Sequence, residues 1–416
     1  MTFVLEFVGP IIYYIHTPQA FLLQFMNHIV DRIKAYNANR IKDILPTKYS
    51  ALREGPFRFF RGTAHLFYED LIKETSFTTG HKTWICGDLH LENYGTYKGD
   101  NRLIYFDIND FDECVLAPVS LEILRVVTSI YVAGDDLKIE STRTESVATR
   151  FLAKYFATIL AGKSHSFQRE TATGMIGELI QSVEKRKDKE VLDKRTESHK
   201  GMMQLSIIPG KTFTTPSKDA GKIKEAFLSW KEAANHGYKL IDIASRIMGT
   251  GSLGLERYIL LCFSEHDDRP VLLDMKEAGP SCVLKYFNFK QPSWDNEAHR
   301  VIKIQSLLQD TPPALLHDFK VGSKNYVIKE LQPSQDKLDL KVVSQKTHKF
   351  EGIIESMADI TASAHLRATG RYTAETGDAL IESVGKLSQH HLLEYTQHYS
   401  KKVVSDYKEY CATDKM

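Results

Sequence analysis

The sequence has no cysteine pair at metal-ligand spacing. Its five cysteines stand at positions 86, 114, 262, 282 and 411, and none forms a C-x-x-C pair. The odd count and the wide spacing argue against a disulfide framework or a structural zinc site, and the thiols read as buried or idle in a reducing cytoplasm. Charge of one sign is missing too. Lys and Arg number 54 against 53 Asp and Glu, a formal net charge of +1, so no chain-wide nucleic-acid footprint is present and no nucleic-acid partner is expected. Long apolar runs are absent: residues 4–15 are apolar but interrupted by Glu6 and Pro10 and lack a basic flank. They fit neither a signal peptide nor a membrane span of about 20 residues, and they read as a docking segment. Internal repeats and low-complexity tracts are also lacking.

What is present is an ordinary globular composition. The 416 residues are 42% apolar and 26% charged, enough for two lobes with cores of their own. Apolar residues at helical spacing (Phe21, Leu22, Phe25, Met26, Ile29, Ile33) predict an amphipathic helix near the start. Strand-like pieces are expected at 83–86 and 103–106, and helices over 118–133, 145–162 and 172–186. The mixed-charge run 184–200 reads as a solvated helix or loop, and the Pro- and Gly-bearing stretch 205–222 as a linker or loop. From about residue 240 the pattern turns to β, with strands expected at 258–263, 271–275 and 326–331. The segment 241–248 fits helix or strand. Helices are expected at 296–308, 351–368 and over the last thirty residues.

Three constellations carry chemistry. The first is Gly87-Asp88-Leu89-His90-Leu91-Glu92-Asn93, directly after a strand. A carboxylate on such a loop can take a proton from an attacking hydroxyl, and an amide oxygen five residues on can ligate Mg²⁺, the pairing used by kinase catalytic loops. The second is Asp107-Ile108-Asn109-Asp110-Phe111-Asp112-Glu113. Four carboxylates packed this closely are costly unless a cation or a hydrogen-bond network neutralises them. The third is Gly249-Thr250-Gly251-Ser252-Leu253-Gly254, followed by a strand and then Lys276. A strand before the glycines and a helix after them would suit a dinucleotide fold. A strand after them favours a glycine-rich hairpin over ATP phosphates, with Lys276 pairing the phosphate oxygens. Lys276 then wants a carboxylate from a helix, and Glu297 is the candidate, because Glu277 would point to the opposite face of the strand. Arg58 and Arg61, interleaved with Phe57, Phe59 and Phe60, are candidates for the acceptor side, as is His90. The competing reading of the two arginines is ion pairing with nearby carboxylates.

The order of these motifs is unusual. In ordinary kinases the glycine loop and lysine come before the acidic loops; here they come after. A circular permutation accounts for this, with the chain starting in the large lobe, building the small lobe and returning. Ala364 and His365 then belong to the helix that normally leads into the catalytic loop.

Taken together, Phe57 to Gly62, Cys86 to Gly95, Phe106 to Glu113, the glycine loop and Lys276-Glu277-Ala278 resemble the bacterial domain-of-unknown-function family numbered 2252, itself similar to protein kinases and aminoglycoside and choline phosphotransferases. The resemblance implies an α+β, two-lobed, protein-kinase-like fold, circularly permuted, with ATP and Mg²⁺ as cofactors and an unassigned acceptor, either a small hydroxylated molecule or a protein side chain. Cys86 stands where the relatives carry a His before the Gly. The metal-binding aspartate is Asp107 by loop length from Asn93, or Asp110 by the Asp-Phe pair. The expected organisation is a helical extension at 1–50, the first part of the large lobe at 51–235, the nucleotide lobe at 236–340 and a helical return at 341–416. The expected function is phosphoryl transfer to a hydroxyl in the cytoplasm. The alternatives are a non-catalytic nucleotide-binding module, or an enzyme of the same fold that transfers AMP or hydrolyses a phosphoester. A Rossmann oxidoreductase is a distant fourth.

Overall fold

The computed structural model describes residues 28–234, 237–332, 338–345 and 347–413. The docking segment at 4–15 and the first part of the expected N-terminal helix lie outside them. Short helices come first: α1 (Ile29–Tyr36), α2 (Leu45–Ala51), α3 (Pro56–Gly62), α4 (Ala64–Leu71) and α5 (Thr75–Thr78). Strands β1 (Lys82–Ile85) and β4 (Val115–Pro118) pair antiparallel, and the hairpin of β2 (Tyr94–Lys98) and β3 (Ile104–Ile108) is inserted between them in sequence. Then come α6 (Val119–Asp136), α7 (Ser141–Ala161), α8 (Gly174–Lys185) and α9 (Asp188–Asp193), and a small hairpin, β5 (Thr196–His199) with β6 (Met202–Leu205).

A six-stranded antiparallel sheet follows. Its members are β7 (Thr212–Thr214), β8 (Tyr238–Arg246), β9 (Arg257–Ser264), β10 (Arg269–Glu277), β11 (His317–Val321) and β12 (Lys324–Glu330), in the order β11-β12-β10-β9-β8-β7. Helix α10 (Ser217–Ala234) precedes β8; α11 (Val283–Tyr286) and α12 (Glu297–Leu308) separate β10 from β11. The chain ends in α13 (Leu340–Ser344), α14 (Thr347–Ala368), α15 (Gly377–Gly385) and α16 (Gln389–Ala412). The fold is mixed α+β, and no described helix is long and apolar enough to cross a membrane.

Side-chain alternation decides which residues of the sheet face the cleft. Leu273 and Met275 of β10 join Leu260 and Cys262 of β9 in a core under α10, whereas Leu272 packs with Ile259 and Leu261 on the other face. Residues two apart share a face of a strand, so Asp274 and Lys276 share the face of Leu272. The register places Lys329 opposite Asp274, and Arg257 opposite Lys276. Glu277 points away and pairs with Lys324 at 3.1 Å. The larger core lies among the helices. α6 is buried almost all round, as a helix apolar on every face must be.

The segment 205–222, expected as a linker or loop, supplies edge strand β7 and the start of α10. Residues 241–248 are largely strand. The described part of the first fifty residues is packed into the body, with Ile29, Val30 and Ile33 in the main core and Lys48 fully buried.

Candidate active site

Two hairpins bring the acidic motifs together. Pairing of Ile85 with Val115 and of Tyr94 with Ile108 sets loops 86–93 and 109–114 side by side. The Asn109 amide donates to the Asn93 carbonyl at 2.8 Å. Gly87 has φ +82°, and a Cβ there would meet the Glu113 carbonyl oxygen at 2.1 Å. Both the left-handed backbone and the close approach require glycine.

The 86–93 loop is held from beneath. The buried Glu122 of α6 accepts the amides of Cys86 at 3.0 Å and Gly87 at 2.8 Å. Its Oε2 lies 2.8 Å from His365 Nε2 on α14, and Tyr155 Oη lies 2.8 Å from the other ring nitrogen. Tyr68 donates to the Gly87 carbonyl. His365, expected in the helix leading to this loop, therefore reaches it through Glu122.

Asp88 meets a buried cation. Arg125 of α6 donates to Asp88 Oδ1 from Nε at 3.0 Å and from Nη2 at 2.7 Å. Both bonds fall on one oxygen, so Oδ2 carries neither. Burial pushes the Asp88 carboxyl up to about 7, against the opposing pull of Arg125. Asn93 donates to the Asp88 carbonyl at 2.6 Å, and its Oδ1 accepts no hydrogen bond among the described residues. His90 is buried with its Nδ1 accepting from the Glu92 amide at 3.2 Å.

Lys276 reaches the acidic loop. Its Nζ lies 3.4 Å from Asp110 Oδ1 and bonds to Asp112. Burial works to lower its pKa, but Asp110 and Asp112 outweigh that and hold it above the ordinary lysine value. Its carboxylate partners thus come from the acidic loop. Glu297, expected in that place, instead pairs with Arg300 at 2.6 Å, one turn along α12. Asp107 is also turned away. It is buried against Arg367 at 3.1 Å and accepts the Ile108 and Asp310 amides.

The glycine loop joins β8 to β9 as a hairpin, with Gly249 at φ +80°. Its carbonyls are anchored by the segment before α3. Lys48 donates to Gly251 at 2.8 Å, Arg40 to Leu253 at 3.0 Å and the Ile41 amide to Gly254 at 2.9 Å. Ser252 donates to the Met248 carbonyl at 3.1 Å. The amides of Gly249 and Gly251 donate to no acceptor among the described residues. Arg58 bonds to Thr250 Oγ1 at 3.1 Å and to Glu54, and Arg61 pairs with Glu92 at 2.5 Å, so both arginines also serve local carboxylates.

Two cavities meet at this loop. One, of about 1030 Å³, is lined by Arg246, Arg257, Asp274, Lys276 and Lys329. The other, of about 1160 Å³, is lined by Asp88, His90, Asn93 and Glu113. Gly249, Thr250, Ser252, Arg61, Asp110 and Asp112 border both. The amide oxygen of Asn109, which lines the first, is buried without a hydrogen-bond partner. Among the described residues no three His, Cys, Asp or Glu side chains form a ready metal cage. Mg²⁺ needs none, because it takes one or two carboxylates plus phosphate oxygens and water, and Asn93 with Asp110 and Asp112 offers such a donor set.

Compared with known sequences, residues 40–413 match the profile of a family described as "uncharacterized protein conserved in bacteria (DUF2252)". The chain belongs to the DUF2252 family. No curated protein and no solved structure matches it. The DUF2252 region spans the whole site, from the Arg40 anchor through Asp88 and Lys276 to His365.

Several site residues escaped the sequence reading. Asp274 bonds to Arg246 at 2.9 Å and to Arg257 Nε at 2.8 Å. Burial alone would raise its pKa, yet the two guanidinium groups hold it far below the usual carboxylate range. Burial lowers the pKa of the neighbouring Lys329. Alternation along β10 could have placed Asp274 beside Lys276. Arg125 and Glu122, charged residues within the apolar pattern of α6, were the other legible signal.

Proposed function

We propose that this DUF2252 chain is an ATP- and Mg²⁺-dependent phosphotransferase acting on a hydroxyl acceptor. The observation that carries the reading is Lys276, which lines the first cavity beside the glycine loop, within 3.4 Å of Asp110, which also borders the second cavity with Asp88. The matching view of the fold is a circularly permuted, protein-kinase-like pair of lobes. The six-stranded sheet is the small lobe, and the helices around Asp88 are the large one. A cytoplasmic location, where ATP is plentiful, goes with it.

In this reading the amides of Gly249 and Gly251 and the ammonium of Lys276 bind phosphate oxygens. Asn93, Asp110 and Asp112 would hold Mg²⁺, which would offset phosphate charge. Asp107, tied to Arg367, has no part in this. Asp88 Oδ2 orients the acceptor hydroxyl and takes its proton as the oxygen attacks phosphorus. The terminal P–O bond breaks, leaving ADP. Positioning and charge compensation supply most of the rate.

One observation favours a second reading, AMP transfer. Arg246 and Arg257 share one carboxylate, Asp274, as their ion-pair partner among the described residues, and Lys329 lines the same cavity. A polyphosphate drawn toward these cations would leave the α-phosphorus nearer Asp88. ATP labelled at the α- or the γ-phosphorus separates the two. Label from γ on the acceptor supports phosphoryl transfer, label from α supports AMP transfer, and binding without either would leave a nucleotide-binding module.

The raised carboxyl of Asp88 sets the pH dependence. Only the ionised form can accept a proton, so transfer is predicted to fall as pH drops below about 7, by roughly tenfold per unit well below it. The check is a pH–rate profile measured with water as the acceptor. A flat profile between pH 5 and pH 8, on the order of three units around that midpoint, would remove Asp88 as the base.

A further inference from the structure

The second cavity runs past Asp88 to a rim formed by α1 and α11. Most of its charged lining is matched. Asp88 is bonded to Arg125, Asp110 and Asp112 meet Lys276, Glu113 accepts the amide of Cys282, and Arg61 pairs with Glu92. Arg40 and Lys285 differ, because neither forms an ion pair among the described residues, and both line this cavity. They converge on one ring. Arg40 Cζ is 5.8 Å and Lys285 Nζ 5.2 Å from the centroid of Tyr36. Tyr36 is fixed by His65, stacked on it at 3.9 Å with an interplanar angle of 4°. His65 is fully buried, and burial holds its pKa well below the ordinary value, so it stays neutral. The Arg40 guanidinium is positioned by its bond to the Leu253 carbonyl, and its remaining donors are pre-organised for a planar or tetrahedral anion.

We infer that this rim binds a carboxylate or phosphate carried by the acceptor. The acceptor is then a small anionic hydroxyl compound, with its anion on Arg40 and Lys285 and its hydroxyl at Asp88. Two cations on one ring without an ion-pair partner among the described residues are complemented by an anionic ligand, whereas a polycationic acceptor such as an amino sugar would add like charge. The inference rests on the phosphotransferase reading for the role of Asp88, though not for the anion site itself.

The test is a calorimetric titration of the full chain with 3-phosphoglycerate, which carries a hydroxyl, a carboxylate and a phosphate. Mg·AMPPNP fills the nucleotide cleft, and glycerol serves as the neutral control. The expected result is saturable binding of 3-phosphoglycerate but not of glycerol. Binding should weaken by at least about tenfold in Arg40→Gln/Lys285→Gln, the loss that follows removal of charge-assisted contacts. Lys285→Gln alone changes an exposed side chain and keeps the test readable if the double variant misfolds; it too must weaken binding. No binding by the wild type, or equal binding by the variants, overturns the inference. Failure of AMPPNP to bind overturns the phosphotransferase reading instead. The titration is then run without nucleotide, and the dependence on Arg40 and Lys285 is judged by the same outcomes.

Discussion

Asp88→Asn is expected to cut phosphoryl transfer by about 10²- to 10⁴-fold, the usual contribution of a general base, or roughly 3–5 kcal/mol in the barrier. Mg·ATP binding should change little. The geometry makes this substitution clean. Arg125 donates both of its bonds to Asp88 Oδ1. An asparagine can keep an oxygen in that place and put its amide where Oδ2 was, so the loop keeps its hydrogen bonds to Arg125 while losing the proton acceptor and the charge that balances that arginine. The measurement is single-turnover transfer with γ-labelled ATP alongside a binding titration. Equal transfer by the variant would mean that Asp88 is not the base.

Asp274→Ala is expected to destabilise the chain by about 3–5 kcal/mol, because it strands buried arginines without their counter-charge. Arg246 and Arg257 both bond to this carboxylate, which is itself 4% exposed. The double variant Asp274→Ala/Arg257→Met should be less destabilised than the single one, since fewer charges are left unpaired. Urea denaturation followed by fluorescence reads both. The sign with pH follows from the depressed pKa of Asp274. Its contribution is fully present above the unfolded value of about 3.9 and is lost as pH falls through the lower folded value. A single variant as stable as wild type would mean that these arginines are solvated and not held by Asp274.

How much of this was legible depended on range. Strands β9, β10 and β12 were readable from apolar runs bounded by turns, and the 87–93, 107–113 and 249–254 segments stood out as dense local patterns. Lys276 was legible because the glycine loop preceded it. Its partners were not, because they depend on how distant segments meet. Glu297 had the right kind of helix but turns to Arg300 on its own face, while Asp110 and Asp112 arrive from a hairpin far earlier in the chain. The cluster of Arg246, Arg257, Asp274 and Lys329 depends on cross-strand register, which a single strand's sequence does not state. The support of Gly87 by Glu122 and His365 joins three segments; the charge of Glu122 inside an apolar helix is legible locally, but its partners are not. The segment around Lys48 read as peripheral because its contacts, with the glycine loop, are all long-range.

The central claim is that the loops at 87–112 and 249–276 form one Mg·ATP site. A calorimetric titration of the full chain with Mg·ATP, run beside Lys276→Met, tests it most directly. The account predicts saturable binding at one site in the wild type. The variant should bind more weakly by about 1.5–3 kcal/mol, the worth of hydrogen bonds to a charged group, or roughly 10- to 100-fold. Absence of binding in the wild type, or identical binding in the two proteins, would contradict it.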